Sequence, residues 1–118
     1  MSELKKILEN FCKLEGVRGA LVVGSDGAVQ ESFMERETNV DTVARLVAAG
    51  ARLGETTAGA LALDTLNQSY VQYADVSVTS EVLGSRSSLV ILADSGANLG
   101  RIRLEIRKNR KIIEGFGA

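Results

Sequence analysis

The sequence predicts an α+β fold, a three-layer α/β/α sandwich around a five-stranded antiparallel sheet with elements in the order α-β-β-α-β-β-β-α. Three observations predict it. The stretch VDTVARLVAAGARLGETTAGA from Val40 reads as a helix with more apolar surface than one stripe requires. Two β-like runs, VRGALVV (17–23) and AVQESFM (28–34), flank Ser25-Asp26-Gly27, where glycine accepts the positive φ of a tight hairpin. Three more β-like runs then follow without a helix between them, and the last is apolar throughout, as a strand covered on both faces is.

Taken in order, Ser2 caps a first helix running to about Leu14, with Leu4, Ile7, Leu8, Phe11 and Leu14 on one face and Gly16 as its stop. The hairpin makes the first two strands antiparallel. The long middle helix is capped by Thr38 or Asn39 and frays beyond Gly59. QSYVQYA (68–74) and VSVTSEVL (76–83) alternate as half-buried strands do, Asp75 and Gly84-Ser85 mark turns, and SSLVILA (87–93) is the continuously apolar strand. After DSGAN (94–98) a final helix runs from Leu99 to about Ile113, with Leu99, Ile102, Ile106 and Ile113 on one narrow face. The tail EGFGA is expected to be mobile. Residues 1–118 are read as a single domain.

The middle helix must cover one sheet face alone while the terminal helices share the other. At about 100° per residue its charges Asp41, Arg45, Arg52 and Glu55 fall within roughly 80° of arc. The apolar remainder exceeds the stripe of a little over ~100° needed against a sheet. The surplus is assigned to Val43, Val47, Gly50, Ala51 and Gly54, and is read as a helix–helix interface between two copies of the chain. The spacing Gly50-x-x-x-Gly54 suits close backbone approach, a signal best attested in membrane helices. Tyr70 and Tyr73 lie on opposite faces of one strand.

Composition removes several function classes. The chain has no histidine and one cysteine, so the common triads and zinc clusters are out of reach. Its glycines form neither a dinucleotide nor a P-loop fingerprint, and Asp94-Ser95-Gly96 lacks the spacing of a calcium loop. Glu35 with Glu37 is read as a solvated loop rather than an acid/base pair, and Cys12 as a buried, inert thiol. No enzymatic activity, cofactor or metal is expected. With 14 basic and 15 acidic residues, the global field favours neither nucleic acid nor an anionic membrane. The charge is nonetheless uneven: residues 101–114 hold six basic and two acidic groups, leaving +4 there and −5 elsewhere. That basic run suits a solvated helix face, or an acidic protein partner or phosphate surface; no aromatic residues interleave it as nucleic-acid stacking would require. The N-terminus reads as neither a signal peptide nor a membrane span, so a cytoplasmic location without membrane insertion is expected.

The element order, with GVRGALVVGSDGAV (16–29) and LVILADSGANLGRIRLEIR (89–107), resembles the roadblock family, the dynein light-chain type of domain, and its prokaryotic gliding-motility regulators in particular. The resemblance implies a non-enzymatic dimer formed by side-by-side middle helices and by edge pairing of the third strands, here about Gln68 to Ala74 with Tyr70 and Gln72. It also implies a scaffold for a Ras-like small GTPase, with stimulated GTP hydrolysis in some members. The contact candidates it suggests are Asp41, Arg45, Arg52 and Glu55, with a solvated stripe as the competing reading of the same four charges. Two other readings share the sheet-and-helix plan: a PAS/GAF-like small-molecule sensor, which needs an enclosed pocket, and a profilin-like peptide-binding module, which predicts a monomer.

Overall fold

The computed structural model describes residues 2–118. Its elements are α1 (Glu3–Phe11), β1 (Val17–Val23), β2 (Val29–Met34), α2 (Val40–Leu61), β3 (Gln68–Gln72), β4 (Val76–Val82), β5 (Ser88–Asp94) and α3 (Leu99–Glu114). The strands form one antiparallel five-stranded sheet in the order β2-β1-β5-β4-β3. The expected fold class and element order are those observed. The continuously apolar strand β5 is the central one, and β2 and β3 are the edges.

Alternation along the strands divides the core into two layers. Ala20 and Val22 of β1 join Leu89 and Ile91 of β5 beneath α1 and α3, where Leu8, Phe11, Ile102, Ile106 and Ile113 pack on them. Leu21, Val23 and Val90 face the other way, beneath α2 and its Ala44. The residues of α2 buried most deeply are Ala44, Ala48 and Ala58, so small side chains bring this helix close to the sheet.

Each helix start carries a side-chain cap that satisfies an otherwise orphaned backbone donor. Ser2 Oγ accepts from Lys5 N, Asn39 Oδ1 from Thr42 N and Asn98 Oδ1 from Arg101 N, each at 3.1 Å. Asn39, not Thr38, is therefore the cap of α2. That helix ends at Leu61 through Ala62, held in the left-handed region at φ 56° without a glycine.

The terminal elements differ from expectation in two places. α1 stops at Phe11, and Leu14 lies in the following turn, where it packs on the same core that a longer helix would have reached. The tail 114–118 is a correction: it turns back on α3, and Ala118 is buried in the α1/α3 core at 3% exposure.

Candidate functional site: an open half-face beside the middle helix

One helix is too narrow to cover a five-stranded sheet. α2 packs chiefly on β1, β2 and β5, which leaves the adjoining face of β3 uncovered and that of β4 only partly covered. Alternation puts Ser69, Val71 and Tyr73 on this open side, with Val78 and Ser80 of β4 beside them. Val71 is 46% and Tyr73 50% exposed. On the flank of α2 that overlooks them, Leu46 is 56% and Leu53 69% exposed, and Leu61 is exposed at the last residue of the helix. A shallow groove of about 60 Å³ runs between the two, lined by Leu46, Val47, Gly50, Val71, Tyr73 and Val78. Beyond it, the outer backbone edge of β3 is unpaired, since this strand pairs only with β4. Uncovered apolar side chains running into an unpaired edge mark a surface that a second chain can complete.

The expected interface residues are distributed unevenly. Gly50 lies on the exposed flank, and a Cβ there would meet nothing within 4 Å, so no contact inside the chain requires glycine. Val43 and Val47 instead pack against the sheet core, half-buried. Gly54 lies under Leu66 of the loop leading to β3, whose Cδ2 would be 2.6 Å from an added Cβ. Ala51 borders a different cleft, beside Gly24 and Ser25. Tyr70 and Gln72 belong to the edge strand, but their registers with Thr79 and Ser77 direct their side chains to the α1/α3 side. Their backbone is available at the edge while their side chains are not on the α2 face.

Leu46, Leu53, Leu61 and Val71 were not singled out by sequence, whereas Tyr73 was expected on the face opposite Tyr70. The apolar arc of α2 was too wide to show where the sheet-facing part ended. The signal that divides it is side-chain size, with alanines against the sheet and leucines at 46 and 53, seven residues apart, on the free flank.

The four charged candidates lie on another flank of α2. Asp41, Arg45 and Arg52 are exposed and make no ion pair among the described residues. Glu55 is different: it accepts from the Arg86 guanidinium of the β4–β5 turn and from Leu66 N at 3.0 Å. These bonds, the Arg86 bond foremost, hold its carboxyl below the usual carboxylate range. Arg52, Glu55 and Arg86 line a cleft of about 340 Å³ with the β1–β2 turn. Arg86 itself has φ 69°, an unfavourable conformation for a residue with a side chain.

Elsewhere, several polar groups are engaged within the protein. A cleft of about 590 Å³ at the start of α3 contains Lys13, Glu15, Asp94, Asn98 and Arg101. Asp94 binds Arg18 at 2.6 Å and Asn98 caps its own helix. Glu35 and Glu37 are exposed in the loop before α2. Cys12 is half-buried, and burial, with Glu35 and Glu9 nearby, pushes its thiol up to about 11. Among the described residues, no group of three or more histidine, cysteine or acidic side chains could hold a metal, and no helix is long and apolar enough to cross a membrane.

A sequence model of the Roadblock/LC7 domain matches residues 3–93. The chain belongs to the Roadblock/LC7 family. An uncharacterized protein of Methanocaldococcus jannaschii is 30% identical over 113 residues, covering 96% of this chain and 98% of that protein. Among solved structures, Myxococcus xanthus MglB superposes with a TM-score of 0.87 at 19% identity, covering 99% of this chain and 97% of the other. A Roadblock/LC7 domain from Streptomyces avermitilis gives 0.89 at 18% identity, covering 98% of each chain. This Roadblock/LC7 domain therefore shares its whole fold, α3 included, with these proteins. The family match itself stops within β5, so the segment ANLGRIR that contributed to the resemblance lies beyond it.

Proposed function

We propose that the protein is a non-enzymatic homodimeric platform for a Ras-like small GTPase. The observation that carries the dimer is the exposed α2-side face of the edge strand β3, with Val71 and Tyr73, beside an α2 flank bearing exposed Leu46, Leu53 and Leu61. A two-fold axis perpendicular to the sheet brings the β3 edges of two copies together antiparallel. It lays each α2 flank over the open half-face, so the same groups cover one another in both directions. Gly50 and the backbone of Tyr70 and Gln72 fall at this contact, whereas Val43, Val47, Ala51 and Gly54 support it from beneath or behind.

Family membership and the likeness to MglB support the GTPase assignment. On this reading the paired α2 helices form one surface, and Asp41, Arg45, Arg52 and Glu55 are offered to the partner. Arg45 and Arg52 are free to pair with its acidic groups, while Glu55 is committed to Arg86 and contributes by fixing the cleft. The absence of histidine and of a recognisable nucleotide fingerprint agrees with a regulator that does not itself turn over substrate.

The test is solution mass by light scattering over a concentration series, wild type beside Leu53→Asp, followed by binding to a GTP-loaded Ras-like GTPase of the same organism. A wild-type dimer split by Leu53→Asp, with GTPase binding lost in Arg45→Glu/Arg52→Glu, is the expected result. A wild-type monomer at tens of micromolar would overturn the dimer and favour the peptide-binding, profilin-like reading.

A further inference from the structure

On the other side of the sheet, α3 buries Ile102, Ile106 and Ile113 and turns a basic ridge outward. Arg101, Arg103, Arg107 and Lys111 are exposed and take no ion pair among the described residues; Lys108 has only Glu105, at 3.6 Å. Arg110 is the exception, bound inward to Glu81 at 2.8 Å and to Glu114. Two large apolar side chains are set within the ridge: Leu104 at 47% and Ile112 at 55% exposure. They stand two helical turns apart with Lys108 midway, and with Arg101, Arg107 and Lys111 they share an outward face about 17 Å long, Arg103 standing at its margin. In the same layer, α1 and the turn after it carry exposed Lys6 and Lys13 with exposed Glu3 and Glu15, so they add no net charge and the ridge belongs to α3. The rest of the chain outside residues 101–114 carries −5, so the molecule is polarised with its positive pole on this side.

We propose that the outer face of α3 docks the protein on an anionic lipid bilayer. Charge complementarity requires an anionic occupant, and the shape of the site favours an extended one. A helical peptide partner needs a groove with a continuous apolar floor. Here the apolar groups are interleaved with arginine and lysine on the outward side of a helix, the arrangement that places cations at headgroup level while Leu104 and Ile112 enter the acyl boundary. The helix lies beyond the residues matched by the family model, so this property is argued from this chain alone.

The proposed dimer strengthens the inference without being required by it. An axis perpendicular to the sheet keeps both α3 helices on one side and both α2 helices on the other. Two ridges then meet one plane together, while the opposite face stays open to a partner. The second attachment is intramolecular and raises apparent affinity.

The experiment is co-sedimentation of the full chain with vesicles of phosphatidylcholine alone and with 30% phosphatidylglycerol, at low and at threefold higher salt. Each cation close to an anionic surface contributes about fivefold in partitioning. Wild type is expected to bind only the anionic vesicles and to lose about tenfold or more at the higher salt. Arg103→Glu/Arg107→Glu, both exposed and without partners in the fold, should lose more than twentyfold with an unchanged circular dichroism spectrum. Leu104→Ser/Ile112→Ser should weaken binding less and leave its salt dependence intact. Equal binding to both vesicle types, no binding to either, or binding that survives the charge reversal would overturn the proposal; so would capture of polyglutamate in preference to vesicles, which would assign the ridge to an acidic protein. Leu53→Asp separates the two proposals: it should weaken vesicle binding through lost bivalency while keeping the preference for anionic lipid. A wild-type monomer that binds anionic vesicles would retain this inference and discard the dimer.

Discussion

Replacing Leu53 by aspartate should separate two protomers without unfolding either. In one protomer Leu53 is 69% exposed, so the substitution removes little that the fold depends on, and protomer stability should change by no more than about 0.5 kcal/mol. Fully burying a leucine side chain is worth about 1.5–3 kcal/mol. Covering the exposed 69% is then worth about 1–2 kcal/mol per copy, or about 2–4 kcal/mol where two-fold symmetry counts the residue twice. Loss of that term alone raises the dimer dissociation constant by about 30-fold to several hundred-fold, and desolvating two carboxylates adds to it. Sedimentation equilibrium over a dilution series measures the constant, and thermal unfolding of the separated protomer checks the fold. An unchanged dissociation constant would refute the argument. Val47→Asp is a poorer probe, although its position first suggested an interface: Val47 packs against the core containing Leu21, Val23 and Val90, so a carboxylate there would unfold the protomer. Loss of dimer would then be uninformative.

Gly19→Ala should destabilise by about 1–3 kcal/mol, read as a fall in Tm, because the new Cβ would press on the Met34 sulfur and lie 2.9 Å from the Phe33 carbonyl oxygen of the neighbouring strand. Glu55 should titrate below the ordinary carboxylate value of about 4.3, and Arg86→Ala should return it towards that value in an NMR pH titration. Because the folded-state pKa is the lower one, the stabilisation from this group is complete above the unfolded value and is lost as pH falls through the folded value; a normal Glu55 titration in the wild type would contradict the Arg86 contact. Cys12 should alkylate slowly at pH 8, with its rate rising only toward about 11; a thiol half-titrated near 8.5 would show that it is not shielded as described.

Period and punctuation made most of the fold legible. The apolar run LVILA (89–93) read as a strand covered on both faces, and it lies in the central strand. Ser2 and Asn39 announced their helices, and the positive φ of Gly27 at 85° is what the hairpin reading required. Legibility failed where tertiary packing, not local chemistry, decided the outcome. Phe11 and Leu14 fit one helical stripe, yet the chain leaves the helix between them and still buries Leu14 in part. The tail has no periodic pattern, but Ala118 is small enough to enter the core. For the candidate site, the sequence showed that α2 had spare apolar surface but could not show its direction. Choosing between the Val43/Val47 side and the Leu46/Leu53 side required the sheet itself. Strand parity, by contrast, was available: Tyr70 and Tyr73 were expected on opposite faces, and the register places Tyr70 with Thr79 and Tyr73 beside the α2 groove.

The strand order also governs when this chain can acquire its core. β1 and β2 are joined by a short hairpin and can pair as soon as they are made, but the other neighbour of β1 is β5, some seventy residues later. Until β5 is available, Ala20, Leu21, Val22 and Val23 have no second partner strand, although all four are nearly inaccessible in the finished protein. Closing so long a loop carries an entropy cost before any contact rewards it, which slows folding of non-local sheets. A nascent chain ending before residue 88 therefore carries an apolar strand with an open edge, the kind of intermediate that aggregates or engages chaperones. The sheet is completed from its middle, by the last strand to be synthesised.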